Sequence, residues 1–480
     1  MGLIRLHFYA DGFATNTVKI KVINLSKAAK YDLTGGPIFK RMVFLSVPLM
    51  ATSFMQMAYN LTDMFWMGRL SSGSVAAVGT AGQFLWLSMA LMIIGRMGAE
   101  IGVSQNVGKG NIDAAKAFAQ NATYIALILG ILYAVVMIFA RGILISFFNI
   151  DDAAVVYEAE IYLMISAFSI PFVMLHNVIS GTFNGFGNTK LPFYINAFGL
   201  ALNIIISPML IFWAGMGIAG AALGTVIASI VNLILKLWAI KYFKSRPFEN
   251  YAFLIRPSLE KIKQIAQWGV PVAIESAFFT FLFMVVSRLI ADFSVGAIAA
   301  HRVGYQVEAL SFMIGGGFAM AVTSFVGQNY GAKKYSRLRD GFKISALAMA
   351  VYGLFITLIL YFFAEPLVSI FLNDPAEIVM GGDYLRIIAL TQFLFCIEGV
   401  ATGYFRGRGL TMKPTIVGIT SNVLRVIFTY TLARTALGIS GVWIGIAMAM
   451  TIKSIWLIAW HFFNVRTMPK TDELVAQADA

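Results

Sequence analysis

The sequence predicts an all-α polytopic membrane protein, with about twelve transmembrane helices arranged as two parallel six-helix repeats. Three observations predict it. Of 480 residues, 59% are hydrophobic and 12% are charged, a balance that soluble domains do not show. Apolar stretches long enough to cross a hydrocarbon core of roughly 30 Å recur along the chain. Motifs of the first half return in the second at a nearly fixed spacing.

Residues 1–38 read as a cytoplasmic lead-in. Their apolar runs are short and carry Lys19, Lys21, Lys27 and Lys30, unlike a signal peptide. The first helix covers about 42–68 and holds one charge, Asp63. Thr52, Gln56, Tyr59, Asn60 and Asp63 fall three or four apart, so a helix puts them on one face. A carboxylate at membrane depth costs about 2.5–3.5 kcal/mol, so it faces a cavity or a partner. Five more apolar segments follow, at 74–104, 117–140, 155–180, 190–213 and 217–242. A polar, basic interval comes next, then six segments at 264–291, 296–327, 342–363, 378–403, 412–436 and 439–463. The resulting division is a lead-in (1–38), an amino-terminal lobe (39–243), a flexible basic linker (244–262), a carboxy-terminal lobe (263–465) and a cytoplasmic tail (466–480).

Pro48 pairs with Pro271, Gln83 with Gln306, and Val103–Gly108 (VSQNVG) with Val326–Gly331 (VGQNYG). Each pair is 223 residues apart (271 − 48, 306 − 83, 326 − 103). Gly181–Pro192 and Gly403–Pro414 pair at 222, and Gly217–Gly220 and Gly438–Gly441 at 221. A drift of two residues over a whole half indicates duplication. Six helices per half return the chain to the side it left, so the halves are parallel repeats.

Lys and Arg set the orientation. Lys40, Arg41, Lys109, Lys190, Lys244, Arg246, Lys333, Lys334, Arg406, Lys413 and Arg466 fall on one side; Asp151, Asp152, Glu158, Asp292, Glu365 and Asp374 fall on the other. The basic side is cytoplasmic, both termini lie there, and the membrane is the cell membrane. The net charge of +13 is explained by these loops and requires no nucleic acid.

Several chemistries are excluded. Cys396 is the single cysteine, and the four histidines lack metal-ligand spacing. The glycine runs Gly185–Lys190 and Gly407–Lys413 do not fit a P-loop and recur at equivalent positions, which marks them as turns. Asp151–Asp152 is not continued into the acidic motif of a prenyl-transferring enzyme. The chain reads as a transporter, not an enzyme, without cofactor.

The run Asp32–Ile38 (DLTGGPI), Pro48 and Gln56–Leu70 (QMAYNLTDMFWMGRL) resembles the start of a multidrug and toxic compound extrusion (MATE) transporter. Val307–Ala332 resembles that family's eighth helix and the loop after it. The resemblance covers about residues 30–465. It implies two lobes of six helices, alternating access, and efflux of amphipathic, often cationic, small molecules driven by inward Na⁺ or H⁺. It implies an amino-lobe ion site at Asp63, Asn203 and Thr225, with Gln56 matching as well and Asn60 beside them. Those oxygens would hold Na⁺ if Na⁺ couples. Where the family has a second Asp on helix five, this chain has Ser207, followed by Pro208. The lost charge favours H⁺ coupling through Asp63 alone. The expected partners are small-molecule substrates and membrane lipids, with the protein a monomer. The competing reading is a flippase for lipid-linked oligosaccharides or lipids; the stripe around Asp63 argues against it.

Other intramembrane polar groups are candidates for secondary sites. Tyr59 shares the Asp63 face. Glu275 is a cation contact of the carboxy lobe or a structural carboxylate. His176 and Glu398 are repeat equivalents (398 − 176 = 222) that line an inner vestibule or bond across the lobes. Arg425, opposite Asn203 in the repeat (425 − 203 = 222), holds a carboxylate such as Glu398 or disfavours cations. Arg96, Glu100 and Glu308 read as structural.

Overall fold

In a bilayer, backbone polar groups must be satisfied within the segment that carries them, so the crossing elements are helices. The computed structural model describes residues 31–253 and 255–466, without the side chain of Ser72, and contains no strand among them. The expected lead-in as far as residue 30 and the tail from 467 lie outside the described residues. The first half comprises α1 (Ile38–Leu70), α2 (Ser72–Gly108), α3 (Ile112–Ser146), α4 (Ala153–Ala167), α5 (Ile170–Phe186), α6 (Lys190–Pro208) with a π-helical turn at Met209–Trp213, and α7 (Gly217–Tyr242). The second comprises α8 (Leu259–Ala291), α9 (Val295–Gly331), α10 (Tyr335–Phe362), the short α11 (Ala364–Ser369), α12 (Pro375–Gly407), α13 (Met412–Ala433) and α14 (Gly438–Arg466). Among the described residues, eleven helices are long and apolar enough to cross a membrane alone; α4 and α5 together make a twelfth, bent crossing.

The repeat extends to helix caps. Ser71 opens α2 by accepting the Ser74 N–H, and Ser294, 223 residues later, opens α9 by accepting the Ala297 N–H. Asp152 caps α4 and Asp374 caps α12, each carboxylate taking two backbone N–H groups. Such caps contribute about 1 kcal/mol each.

The halves differ at two prolines. Pro171 sits in the first turn of α5, and the crossing bends by 42° between α4 and α5, where the sequence reads as one straight segment. The equivalent position in α12 is Phe393, and that helix is continuous. Pro208 lacks an N–H to complete the α6 ladder, and the chain passes into the π-helical turn. The equivalent Tyr430 in α13 keeps an ordinary helix.

Packing cuts across the division into halves. Met42, Leu45 and Leu49, in the first part of α1, are buried in a core with Phe318, Val322 and Phe325 of α9. Further along, Met67 lies in the core of the first half. The start of α8 crosses in the other direction: Ile265 is buried in the first-half core, and Trp268 lies 5.5 Å from Phe118. The linker, expected to be loose, is tied to α3. Gln120 donates to the Ala252 carbonyl (2.6 Å), Tyr124 to that of Ile255 (2.6 Å), and the Ser258 N–H to Asn121 (2.7 Å).

At the basic face the repeated motifs meet crosswise. Gln105 Nε2 donates to the Gly407 carbonyl at 3.0 Å, and Gln328 Nε2 donates to the Gly185 carbonyl at 3.0 Å. Gln328 Oε1 also accepts the Leu33 N–H (3.0 Å). Gly108 lies on the Gln328 carbonyl and Gly331 on that of Gln105; a Cβ at either would fall 1.9 Å from the oxygen. Only glycine permits this approach. The halves are therefore locked together on the side of the basic loops.

Candidate ion and substrate site

The site begins with the polar face of α1. Tyr59 is its hub: its hydroxyl donates to Thr225 Oγ1 of α7 (3.0 Å) and accepts from Asn203 Nδ2 of α6 (2.9 Å). These bonds join three helices at one depth. Asp63 lies one turn beyond Tyr59, within electrostatic reach of the Tyr59 and Tyr162 hydroxyls. Ser207 lies one turn beyond Asn203 and abuts Gly224, where a Cβ would fall 2.4 Å from Ser207 Oγ. Pro208 and the π-helical turn directly after Ser207 widen the helix beside the cluster.

The cluster is short of donors. Asp63 Oδ1, Asn203 Oδ1 and Ser207 Oγ are buried and have no hydrogen-bond partner. Buried acceptors are normally satisfied, by protein, water or an ion. Oxygen acceptors on neighbouring helix turns suit a hard cation or a proton on the carboxylate. Among the described residues, no group of three or more His, Cys, Asp or Glu could hold a metal ion. A Na⁺ here would rely on Asp63 for charge and on Asn203, Ser207 and Thr225 for neutral oxygens.

The remaining sequence candidates lie elsewhere. Gln56 and Asn60 are exposed on α1, outside the buried cluster. Exposed amides at membrane depth are better accommodated by a water-filled cleft than by lipid. Glu275 pairs with Arg406 of α12 (3.6 Å) and accepts from Thr415 of α13 (3.5 Å). Glu398 accepts from Thr402 (2.6 Å) and pairs with Lys453 of α14 (3.5 Å). His176 meets Lys236 of α7, Nδ1 to Nζ, at 3.1 Å. The partners of His176 and Glu398 thus lie in their own halves, and the expected alternative of bonds across the lobes is not formed. Arg425 does not take Glu398; its guanidinium lies over the Phe279 ring at 5.3 Å. Glu308, 1% exposed, takes hydrogen bonds from Tyr384 (2.6 Å) and Gln392 (3.1 Å) and so joins α9 to α12. Across the halves, Ser324 donates to Glu100 (3.0 Å).

Sequence reasoning missed Lys236, which is fully buried. The signal was available: it is an isolated charge in an otherwise apolar span, the same feature that singles out Asp63.

A family model described as MatE matches residues 48–209 and 271–431, once in each half. The chain is 28% identical to a probable multidrug resistance protein NorM of Thermotoga maritima, across 91% of this chain and 96% of that one. It is 25% identical to the multidrug resistance protein MdtK of Photorhabdus laumondii, across 91% and 97%. A solved MATE structure in the bent conformation matches with TM-score 0.87 at 23% identity, covering 92% of this chain and 99% of its own. An outward-facing multidrug resistance MATE family transporter of the MOP superfamily matches with TM-score 0.84 at 24% identity, over 92% and 99%. These structural likenesses establish the fold.

Proposed function

The chain belongs to the MatE family, and we propose that it exports amphipathic, cationic organic molecules in exchange for protons, by alternating access of two six-helix lobes. The observation that carries this reading is the orphaned Asp63 Oδ1, buried beside the Tyr59–Asn203–Thr225 network. A carboxylate with an unused oxygen can hold a proton in one state of the lobes and give it up in the other. Coupling requires that lobe motion or substrate favour the two protonation states differently. The charge count supports H⁺ over Na⁺, because Ser207 contributes an oxygen without a charge. The excess of Lys and Arg in the loops of one face supports reading that face as cytoplasmic, with both termini on that side and the protein in the cell membrane. The crossed glutamine bonds then seal the cytoplasmic side, and the exposed Gln56 and Asn60 belong to a cleft open to the outside. The protein works as a monomer among lipids and needs no cofactor.

The test is transport in proteoliposomes with Na⁺ and pH gradients imposed separately, for wild type and Asp63→Asn. A pH gradient should drive export in the wild type, and Asp63→Asn, which keeps the shape but fixes the neutral state, should abolish it. Export by Asp63→Asn at the wild-type rate would make the cluster structural. Export driven by Na⁺ alone would replace the proton in this reading.

A further inference from the structure

A second titratable cluster lies deeper in the first half. Lys236 Nζ is held by Ser180 Oγ (2.8 Å) and Asn196 Oδ1 (2.8 Å), by His176 Nδ1 (3.1 Å) and by the His176 carbonyl (3.3 Å). The partners come from α5 and α6, and the lysine is 0% exposed. None is a carboxylate, and Arg96 of α2 is the other charge within electrostatic reach. Unlike a structural ion pair, this cluster offers the ammonium only neutral acceptors, and a buried charge left unpaired is costly. What it does provide is a second base. Two nitrogens 3.1 Å apart on Lys236 and His176 can share one added proton, but two cations there would repel each other.

The position connects the cluster to the outer site. Lys236 lies 236 − 225 = 11 residues beyond Thr225 on α7, about 16 Å along the helix. Asn196 lies 203 − 196 = 7 residues before Asn203 on α6, roughly 10 Å. Between the two levels Asn232 packs on Gly199, where a Cβ would fall 2.2 Å from its Nδ2, and Asn232 Oδ1 is buried without a partner. That acceptor is a place for a bridging water. The α6–α7 seam is thus polar from Asn203 and Thr225 down to Lys236.

We propose that Lys236 and His176 form a second, inner protonation site of the first half, which passes the transported proton to the cytoplasm. The inference rests on the reading of Asp63 as the outer proton-binding group. In the step itself, a proton on Lys236 Nζ transfers along the N–H···N hydrogen bond to His176 Nδ1, leaving a neutral amine. The imidazolium then releases its Nε2 proton towards the cytoplasmic side, and exchange of the remaining ring proton from Nδ1 to Nε2 through water restores Nδ1 as the acceptor for the next cycle. Lysine suits this role because it can lose its proton, whereas arginine keeps its charge.

The test uses the full chain in proteoliposomes, with ethidium as the cationic probe and a pH dye trapped inside. Lys236→Arg should leave ethidium exchange at equilibrium unchanged, because no net proton moves. Accumulation driven by a pH gradient, and the accompanying internal pH change, should fall about a hundredfold. Accumulation at the wild-type level would overturn the proposal. If the bulkier arginine also abolishes exchange, His176→Gln decides: its amide oxygen still accepts from Lys236 but cannot take the proton. It should lower gradient-driven accumulation at every pH as Lys236→Arg does, and accumulation at the wild-type level with the wild-type pH profile would overturn the proposal. Asp63→Asn, assayed alongside, separates the two readings. Loss in Asp63→Asn with full activity in Lys236→Arg removes the inner site alone. Full activity in Asp63→Asn removes the outer reading.

Discussion

Replacing Gln105 or Gln328 with leucine should unlock the cytoplasmic face, by amounts that differ between two repeat-equivalent residues. Leucine roughly keeps the volume of glutamine, so no cavity is added, and the lost term is hydrogen bonding. Gln105 makes one bond across the halves, to the Gly407 carbonyl, while Gln328 makes two, to the Gly185 carbonyl and from the Leu33 N–H. At a net value of about 1 kcal/mol each, Gln105→Leu costs the closed state about 1 kcal/mol and Gln328→Leu about 2 kcal/mol. The double variant costs about 3 kcal/mol, since the two glutamines share no partner among their three bonds. The ratio of open to closed lobes should then rise about fivefold, about thirtyfold and roughly a hundredfold or more. The assay is electron–electron distance measurement between spin labels at Lys190 and Met412, exposed repeat equivalents on that face, in a Cys396→Ser background. The long-distance population should grow in the order Gln105→Leu, Gln328→Leu, double variant. Distances unchanged in all three, or a larger effect at Gln105, would refute the reasoning.

Three further outcomes are expected. Tyr59→Phe removes both hydroxyl bonds and leaves Asn203 Nδ2 and Thr225 Oγ1 searching for partners. Thermal unfolding in detergent should show a loss of about 1–3 kcal/mol, and gradient-driven export should fall with it. Ser207→Asp adds a charge where Ser207 Oγ rests closely against Gly224; export should then respond to a Na⁺ gradient that the wild type ignores, measured as in the proteoliposome test. In the linker, burial pushes the Tyr251 hydroxyl up to about 12, against about 10 when unfolded. A group raised in the folded state stabilises fully below the unfolded value and is lost as pH rises through the folded one. Thermal stability in detergent should therefore fall between about pH 10 and 12, and Tyr251→Phe should reduce that fall.

Much of the fold was legible because the duplication is written in residues with fixed backbone roles. Pro48 and Pro271, Gln83 and Gln306, and the paired glycine motifs recur at spacings that only a repeated architecture explains, and the helix caps at Ser71 and Ser294 keep the same spacing in the structure. The break at Phe168–Ser169 was not read, although Pro171 was in view, because apolar content alone does not report helix direction. Of the candidate site, Asp63, Tyr59, Asn203, Ser207 and Thr225 come together in the structure, as their depths along separate helices required. Gln56 and Asn60 share the α1 stripe yet stay outside the cluster, since a stripe spans more of the helix circumference than one buried contact uses. Lys236 stands alone in its span, but nothing in the sequence joins it to His176, Ser180 and Asn196 on other helices. The crossings of α1 and α8 could not be read, because periodicity tells which face is apolar and not which half covers it.

Those crossings bear on how such a chain could arise. The opening part of α1 is buried by the second half, and that of α8 by the first. Met42, Leu45 and Leu49 would have no cover in a fragment ending at the linker. A single ancestral copy of the repeat would have faced the same lack, and two copies exchanging their first helices would have met it. The present protein reads as such a swapped pair joined head to tail, with the docked linker as the seam. Fusion then left the halves free to differ, with Asn203 in one and Arg425 at the matching position in the other.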